Sequence, residues 1–396
     1  MNRNEKVLQG RHYFPNLIGL RFWMALTVIY RHIEEVKFMR HIQHDDKSIA
    51  MFHSVGFYPM LMFFALSGFL ITYQLEVEKV KSSTINVLHF YKNRALRILP
   101  LFYLSIFIYW VVLPYSPIAD YYNSVFFKPW FSNIEPLYDI PKWIFLILSM
   151  VLLPHLAYMI SLMNDRSWMY GVQHWSVGVE EIFYIFWPLL WRKMTNFKHF
   201  IIKCFAAYYI VLFGSALLHF GLKKLFHIEW VSHATIVWVY FVIFSNAFCF
   251  FIGAIAIYIY LYRMDIMEKY ITGRLAFISF VLIIIGMLSS FEFPIIIKEL
   301  MCTWYMICIL YLLKTGKSYA IFEHPFIVYL GKITYAVYLV HFAAILVVMY
   351  ILEHFHIHEK SLWLFNVLQY GGTLLLTFSV SAFLYEFYEK KFLAMR

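Results

Sequence analysis

Apolar residues gather into long runs along this chain, broken by short charged stretches. The runs fall at about residues 13–33, 52–74, 98–114, 143–162, 182–195, 201–221, 235–262, 275–290, 295–313, 332–352 and 362–386. Apolar stretches near twenty residues predict membrane-spanning helices. The charges between them predict sidedness, because basic loops stay on the inner face. Arg3, Lys6 and Arg11 precede the first run, and Lys79, Lys81, Lys92, Arg94 and Arg97 follow the second. The segment 34–50 carries Glu34, Glu35, Asp45 and Asp46 and is expected outside.

One run breaks this order. If 143–162 crosses fully, Arg192, Lys193, Lys198 and Lys203 fall on the outer side. A half-crossing within 115–175 restores the rule and leaves about ten spans. The expected fold is an all-α polytopic membrane helix bundle with about ten transmembrane helices. It forms a single domain over 1–396, multi-pass in the cytoplasmic membrane. No cleavable leader is expected, since the first run contains Arg21 and lacks a small-residue cleavage site. No appended soluble domain is expected after the last run.

Composition agrees. The 396 residues are 62% hydrophobic and 21% aromatic, which excludes an ordinary soluble domain. The net charge of +10 is read as basic inner loops facing anionic lipid, not as a nucleic-acid surface. Cys204, Cys249, Cys302 and Cys308 form no CxxC pair and are read as packing residues. His354, His356 and His358 alternate at period two without completing a ligand set, so no metal is expected.

Chemistry concentrates in five places. In LIGLRFWMALTVIYRH, Arg21 and His32 stand eleven positions apart. That is three helical turns plus about 20°, so both project from one face roughly 16 Å apart. Charges inside a span normally face a polar interior, although an Arg and a His as interfacial anchors fit the same spacing. LSGFLITY places Ser67 and Gly68 inside an apolar helix, which suits close helix packing. FYKNRALRILP sets Arg94 and Arg97 three apart on one face. Two guanidiniums there suit a phosphorylated ligand, and basic topology explains them equally. HWSVGVEEIFY puts Glu180 and Glu181 directly before an apolar run, where they fit a helix N-terminus or a carboxylate entering the bundle. LGKITYAVYLVH opens on Gly331 as a helix start and carries His341 mid-span, a functional or a structural histidine.

In this order the five stretches resemble the acyltransferase-3 family of integral membrane O-acyltransferases. Arg21 and His32 match its first-helix Arg and His, and Ser67–Ile71 its SGFLI. Arg94 and Arg97 match its paired arginines before Ile-x-Pro. Trp175, Ser176, Glu180, Glu181, Phe183 and Tyr184 match WSLxxEExFY, with Val177 for Leu and Ile182 for Gln. Gly331, Tyr335, Tyr338, Leu339 and His341 match the late G-x-x-SY-x-x-YLxH, with Thr334 for Ser. The resemblance spans about 13–386 and is to members without an appended hydrolase-like domain.

It implies transfer of an acyl group, most often acetyl, from cytoplasmic acyl-CoA to a hydroxyl of a surface polysaccharide or related glycan. Acyl-CoA enters as co-substrate, with no permanently bound cofactor. His32 is then the expected base, oriented by Glu180, with Arg21 stabilising the oxyanion or holding the donor. Arg94, Arg97 and Ser67 are expected at the donor, and Trp175, Ser176, Glu181, Tyr184, Tyr335 and His341 around the pocket. The rival reading is a multi-pass transporter or flippase for a polysaccharide precursor, which predicts inverted repeats that the sequence does not display.

Overall fold

The computed structural model describes residues 14–42, 46–119, 121, 141–157, 171–226, 246–289 and 295–396. All regular structure among them is helical. The chain is an all-α, multi-pass membrane protein. The expectations for 122–140, for 158–170 and for the start of the 235–262 run lie outside the described residues.

Helix α1 (Pro15–Met39) opens on proline at its first turn, where the missing N–H is not needed. It runs past the predicted end at 33, so the acidic stretch from Glu34 is helical at first. Lys37 donates to Glu34 at 2.8 Å within the helix. Arg40 just beyond forms a forked pair with Glu353, and the Tyr370 hydroxyl reaches Glu34, tying this end to two later helices.

Helix α2 (Asp46–Ser82) spans 37 residues, about 55 Å, and absorbs the start of the predicted basic loop. Ser83 ends it in the left-handed region at φ 60°. Asn86 then caps α3 (Val87–Phe107), its side chain accepting from the His89 N–H at 3.0 Å. Arg94 and Arg97 therefore lie inside a helix and not ahead of one. α3 continues as a π-turn, Ile108–Val112, and a short 3₁₀ turn, Leu113–Tyr115.

Helix α4 (Lys142–Met150) has nine residues, about 13 Å, against roughly 30 Å of hydrocarbon. The chain turns at Leu152, with φ 62°. The described part of the 143–162 run is thus not one straight span.

Helix α5 (Trp175–Arg192) follows a 3₁₀ turn at Val172–His174. It starts well before the predicted 182, so Glu180 and Glu181 sit in its second turn. They are not N-terminal caps. Helix α6 (Phe197–Phe226) precedes α7 (Ala247–Tyr262), which breaks by 100° into α8 (Met264–Tyr270). Then come α9 (Gly273–Leu288), α10 (Ile295–Thr315), α11 (Ala320–Glu323) and α12 (Pro325–Lys332). Helix α13 (Thr334–His354) carries the late motif; α14 (Ile357–Lys360), α15 (Leu362–Leu384), a π-turn (Tyr385–Glu389) and α16 (Lys390–Leu393) complete the chain. Gly331 sits near the end of α12, not at a helix start. Among the described residues four helices are long and apolar enough to cross a membrane, or five if the bent α7–α8 pair counts as one span.

Glycines set how close the central helices come. A Cβ on Gly68 would lie 2.3 Å from the Phe250 carbonyl, and one on Gly253 2.1 Å from the Ala65 carbonyl. α2 and α7 therefore meet backbone to backbone, as small residues permit in lipid. Gly331 lets α12 onto α1 in the same way, against the Ile18 carbonyl. Polar anchors finish the frame. Glu76, buried in α2, accepts from the Trp191 indole at 2.9 Å and the Tyr262 hydroxyl at 2.5 Å. Each bond satisfies a group that lipid would leave bare.

Candidate active site

The face of α1 that starts at Arg21 lines a cavity of about 80 Å³, through Arg21, Ala25, Val28 and Ile29. The opposite walls come from Ser67 on α2, Ser176 and Glu180 on α5, and Tyr335, Tyr338 and His341 on α13. A space of this size holds a few waters or the reacting ends of two substrates. The helical spacing thus does put Arg21 on an inward face. His32, three residues past Ile29, ends the strip behind the lining, with its ring centroid 5.2 Å from that of His341.

Glu180 is held from two sides. Ser67 and Tyr184 both donate their hydroxyls to its Oε1. Oε2 has no hydrogen-bond partner among the described residues. Tyr184 lies one turn after Glu180, so the i,i+4 spacing brings them together. Ser67 arrives from α2 because Gly68 beside it packs on α7, which turns the neighbouring side chain toward α5. Glu181 is buried 100° around the helix, and its Oε1 has no partner. The expected Glu180–His32 pairing is not formed. His32 Nδ1 instead meets Glu35 Oε2 at 2.9 Å, one turn on along α1, a shorter reach than across the bundle.

The arginines separate. Arg21 is buried with Nε unpartnered, and Arg97, Glu180 and Arg94 lie close enough to act on its charge. Arg94 is committed: it donates to Gln74 and lies 5.2 Å over the Tyr184 ring and 5.3 Å over Phe90. Arg97 makes no hydrogen bond among the described residues, which leaves its fork open to a ligand. Arg396 and buried Glu389, which the sequence reading missed, are its electrostatic neighbours. No local spacing links either to Arg97; only the C-terminal π-turn brings them back to α3.

The part of the cavity around His341 is ordered by tyrosines. Tyr338 gives its single proton to the Gln173 carbonyl, so Ser176 is the donor in its 2.5 Å contact with that hydroxyl. Tyr335 donates to the Ile98 carbonyl at 2.9 Å and ties the cavity wall to α3. Trp175 packs edge-on to Phe64, behind the wall. His341 Nδ1 lies 2.7 Å from the Tyr338 carbonyl, while its Nε2 is buried without a partner. Among the described residues no cluster of His, Cys, Asp and Glu could hold a metal.

The acyltransferase domain that defines one family matches residues 14–386, from the first turn of α1 to the final π-turn. The chain belongs to the acyltransferase-3 family. Among similar curated proteins is the O-acetyltransferase OatA of Staphylococcus aureus, 26% identical over 189 residues, 48% of this chain and 26% of that protein. Another is the putative peptidoglycan O-acetyltransferase YrhL of Bacillus subtilis, 27% identical over 183 residues, 46% of this chain and 24% of that protein. The matched stretch is thus about a quarter of the length of these relatives. No solved structure matches the chain. The acyltransferase-3 match encloses every candidate residue from Arg21 to His341.

Proposed function

We propose that this chain is a membrane O-acyltransferase. It moves an acyl group, most often acetyl, from cytoplasmic acyl-CoA to a hydroxyl of a cell-surface polysaccharide or related glycan, in the cytoplasmic membrane. The observation that carries this reading is one cavity lined by the buried guanidinium of Arg21 and the imidazole of His341, with a second imidazole, His32, behind it. The relatives' names as O-acetyltransferases support it.

Arg97, with Arg94 beside it, would hold the phosphates of the donor, since a guanidinium fork fits phosphate oxygens. The cavity is too small for a nucleotide, so only the thioester end enters. The acceptor hydroxyl loses its proton to an imidazole as its oxygen bonds to the acyl carbon. The negative charge that gathers on the carbonyl oxygen would fall to Arg21. The C–S bond then breaks, its electron pair goes to sulfur, and the thiolate takes a proton to leave as CoA. Glu180 offsets the charge of Arg21, and its open oxygen would receive an acceptor hydroxyl. Glu35 takes the orienting role at His32 that the sequence suggested for Glu180.

Comparing the mass of surface polysaccharide with and without this protein tests the reading. An acyl-sized mass at one sugar, lost on deletion, is expected. Replacing both imidazoles, His32→Ala with His341→Ala, is expected to lower transfer about 10²–10⁴-fold, the usual span for a positioned base. Intact acylation with both Arg21 and His32 replaced by Ala would overturn it, and a halt in glycan export instead would favour transport.

A further inference from the structure

We propose that His341 takes the proton from the acceptor hydroxyl, and that His32 and Glu35 form its outlet along α1. This rests on the acyltransferase reading above and divides roles between the two imidazoles of the site.

Hydrogen bonding fixes the protons. The Tyr338 carbonyl can only accept, so His341 carries its proton on Nδ1 and donates it there at 2.7 Å. In the neutral ring the lone pair is therefore on Nε2. That atom is buried and has no partner, on a side chain that lines the cavity. A buried nitrogen left without a partner is costly in a resting protein and suits a substrate hydroxyl. His32 is arranged differently. It lies behind the lining, and its Nδ1–H points to Glu35 Oε2 at 2.9 Å. Its side chain is 15% exposed and that of Glu35 is 23% exposed, whereas His341 is 1% exposed. The order from cavity to surface is therefore His341, His32, Glu35.

His174, another imidazole close to His341, is excluded by the same accounting. Ser105 gives its proton to the Phe102 carbonyl at 2.7 Å, so His174 donates Nε2–H to Ser105 at 2.9 Å. The lone pair of His174 is then on Nδ1, buried and outside the cavity lining.

The step balances. The acceptor O–H breaks and its proton goes to His341 Nε2, while the new O–C bond replaces the C–S bond and sulfur keeps the electron pair. The proton passes from His341 Nε2 through one intervening water to Nε2 of His32, the two ring centroids being 5.2 Å apart, and the Nδ1 proton of His32 moves to Glu35 and out. The thiolate takes its proton from water on the donor side, and the hydroxide left there balances the proton released beyond Glu35, so the sum is one ester, one thiol and no net change in water.

His341→Asn separates the roles, because the Asn amide N–H can still bond the Tyr338 carbonyl while Nε2 is gone. Membranes carrying the full chain, given radiolabelled acetyl-CoA and the cell's own polysaccharide, provide the rate. Binding of unlabelled CoA to purified protein is measured alongside. His341→Asn is expected to bind CoA normally and lose at least 100-fold in rate. Imidazole added to His341→Ala is expected to restore part of it. Glu35→Gln is expected to lose about tenfold in kcat with KM unchanged, a loss that small buffer bases reverse. A His341→Asn rate within threefold of wild type overturns the proposal. So does a folded, CoA-binding His341→Ala that imidazole fails to rescue, since that marks a packing role. If the wild-type chain itself transfers no label, the acyltransferase reading falls first.

Discussion

Glu180→Gln abolishes most transfer and leaves the bundle assembled. The substitution keeps the shape of the side chain and a carbonyl oxygen for Ser67 and Tyr184. It removes the negative charge nearest to buried Arg21 on the cavity wall. Loss of a group that sets the field at the reacting atoms usually lowers kcat about 10²–10³-fold. Glu180→Ala goes further. It leaves the hydroxyls of Ser67 and Tyr184 without their shared acceptor and opens a void beside Arg21, and a buried polar group left unsatisfied costs about 1–3 kcal/mol. Its thermal unfolding in detergent is expected to fall visibly, while that of Glu180→Gln moves little. Glu181→Gln is the control. Its carboxylate is buried away from the cavity lining, so less than tenfold is expected. Equal losses at both positions would remove Glu180 from the site.

Gly68→Val yields no folded, monodisperse protein. The first added carbon already falls 2.3 Å from the Phe250 carbonyl, and backbone cannot step aside as a side chain does. Gly253 on the facing helix is equally tight, at 2.1 Å from the Ala65 carbonyl. Each added methyl forces α2 and α7 apart, and overpacking of this kind costs about 1–3 kcal/mol per site. Gly68→Ala is expected to lower the melting temperature, and Gly68→Val to abolish the size-exclusion peak. Displacement of Gly68 also drags Ser67 from Glu180, so residual Gly68→Ala protein is expected to transfer slowly. Gly371 in α15 has nothing within 4 Å of an added Cβ, and Gly371→Ala is expected to be neutral or mildly stabilising. A normal peak for Gly68→Val would refute the close crossing.

Much of this protein was legible before any coordinates. Long apolar runs can only be helices in lipid, since no other open backbone satisfies itself there. The eleven-residue spacing of Arg21 and His32 depends on helix geometry alone, and Arg21 faces the cavity as that spacing requires. The charge conflict around 143–162 marked the stretch whose path charge alone left open, and there α4 ends after nine residues at Met150.

Other features depended on contacts between distant segments. Helix ends fell away from the predicted bounds: α1 runs on to Met39, where Arg40 and Glu34 reach Glu353 and Tyr370 on later helices, while α3 starts at Val87 on its local Asn86 cap. Glu180 pairs with Ser67, 113 positions away, and His32 with its own neighbour Glu35; spacing alone ranked neither. The sequence determined which side chains lie on one face of each helix, because that follows from 3.6 residues per turn. Which faces meet, and which imidazole nitrogen is left open to a substrate, only the packed bundle decided, because hydrogen bonds across helices depend on crossing distance and not on periodicity.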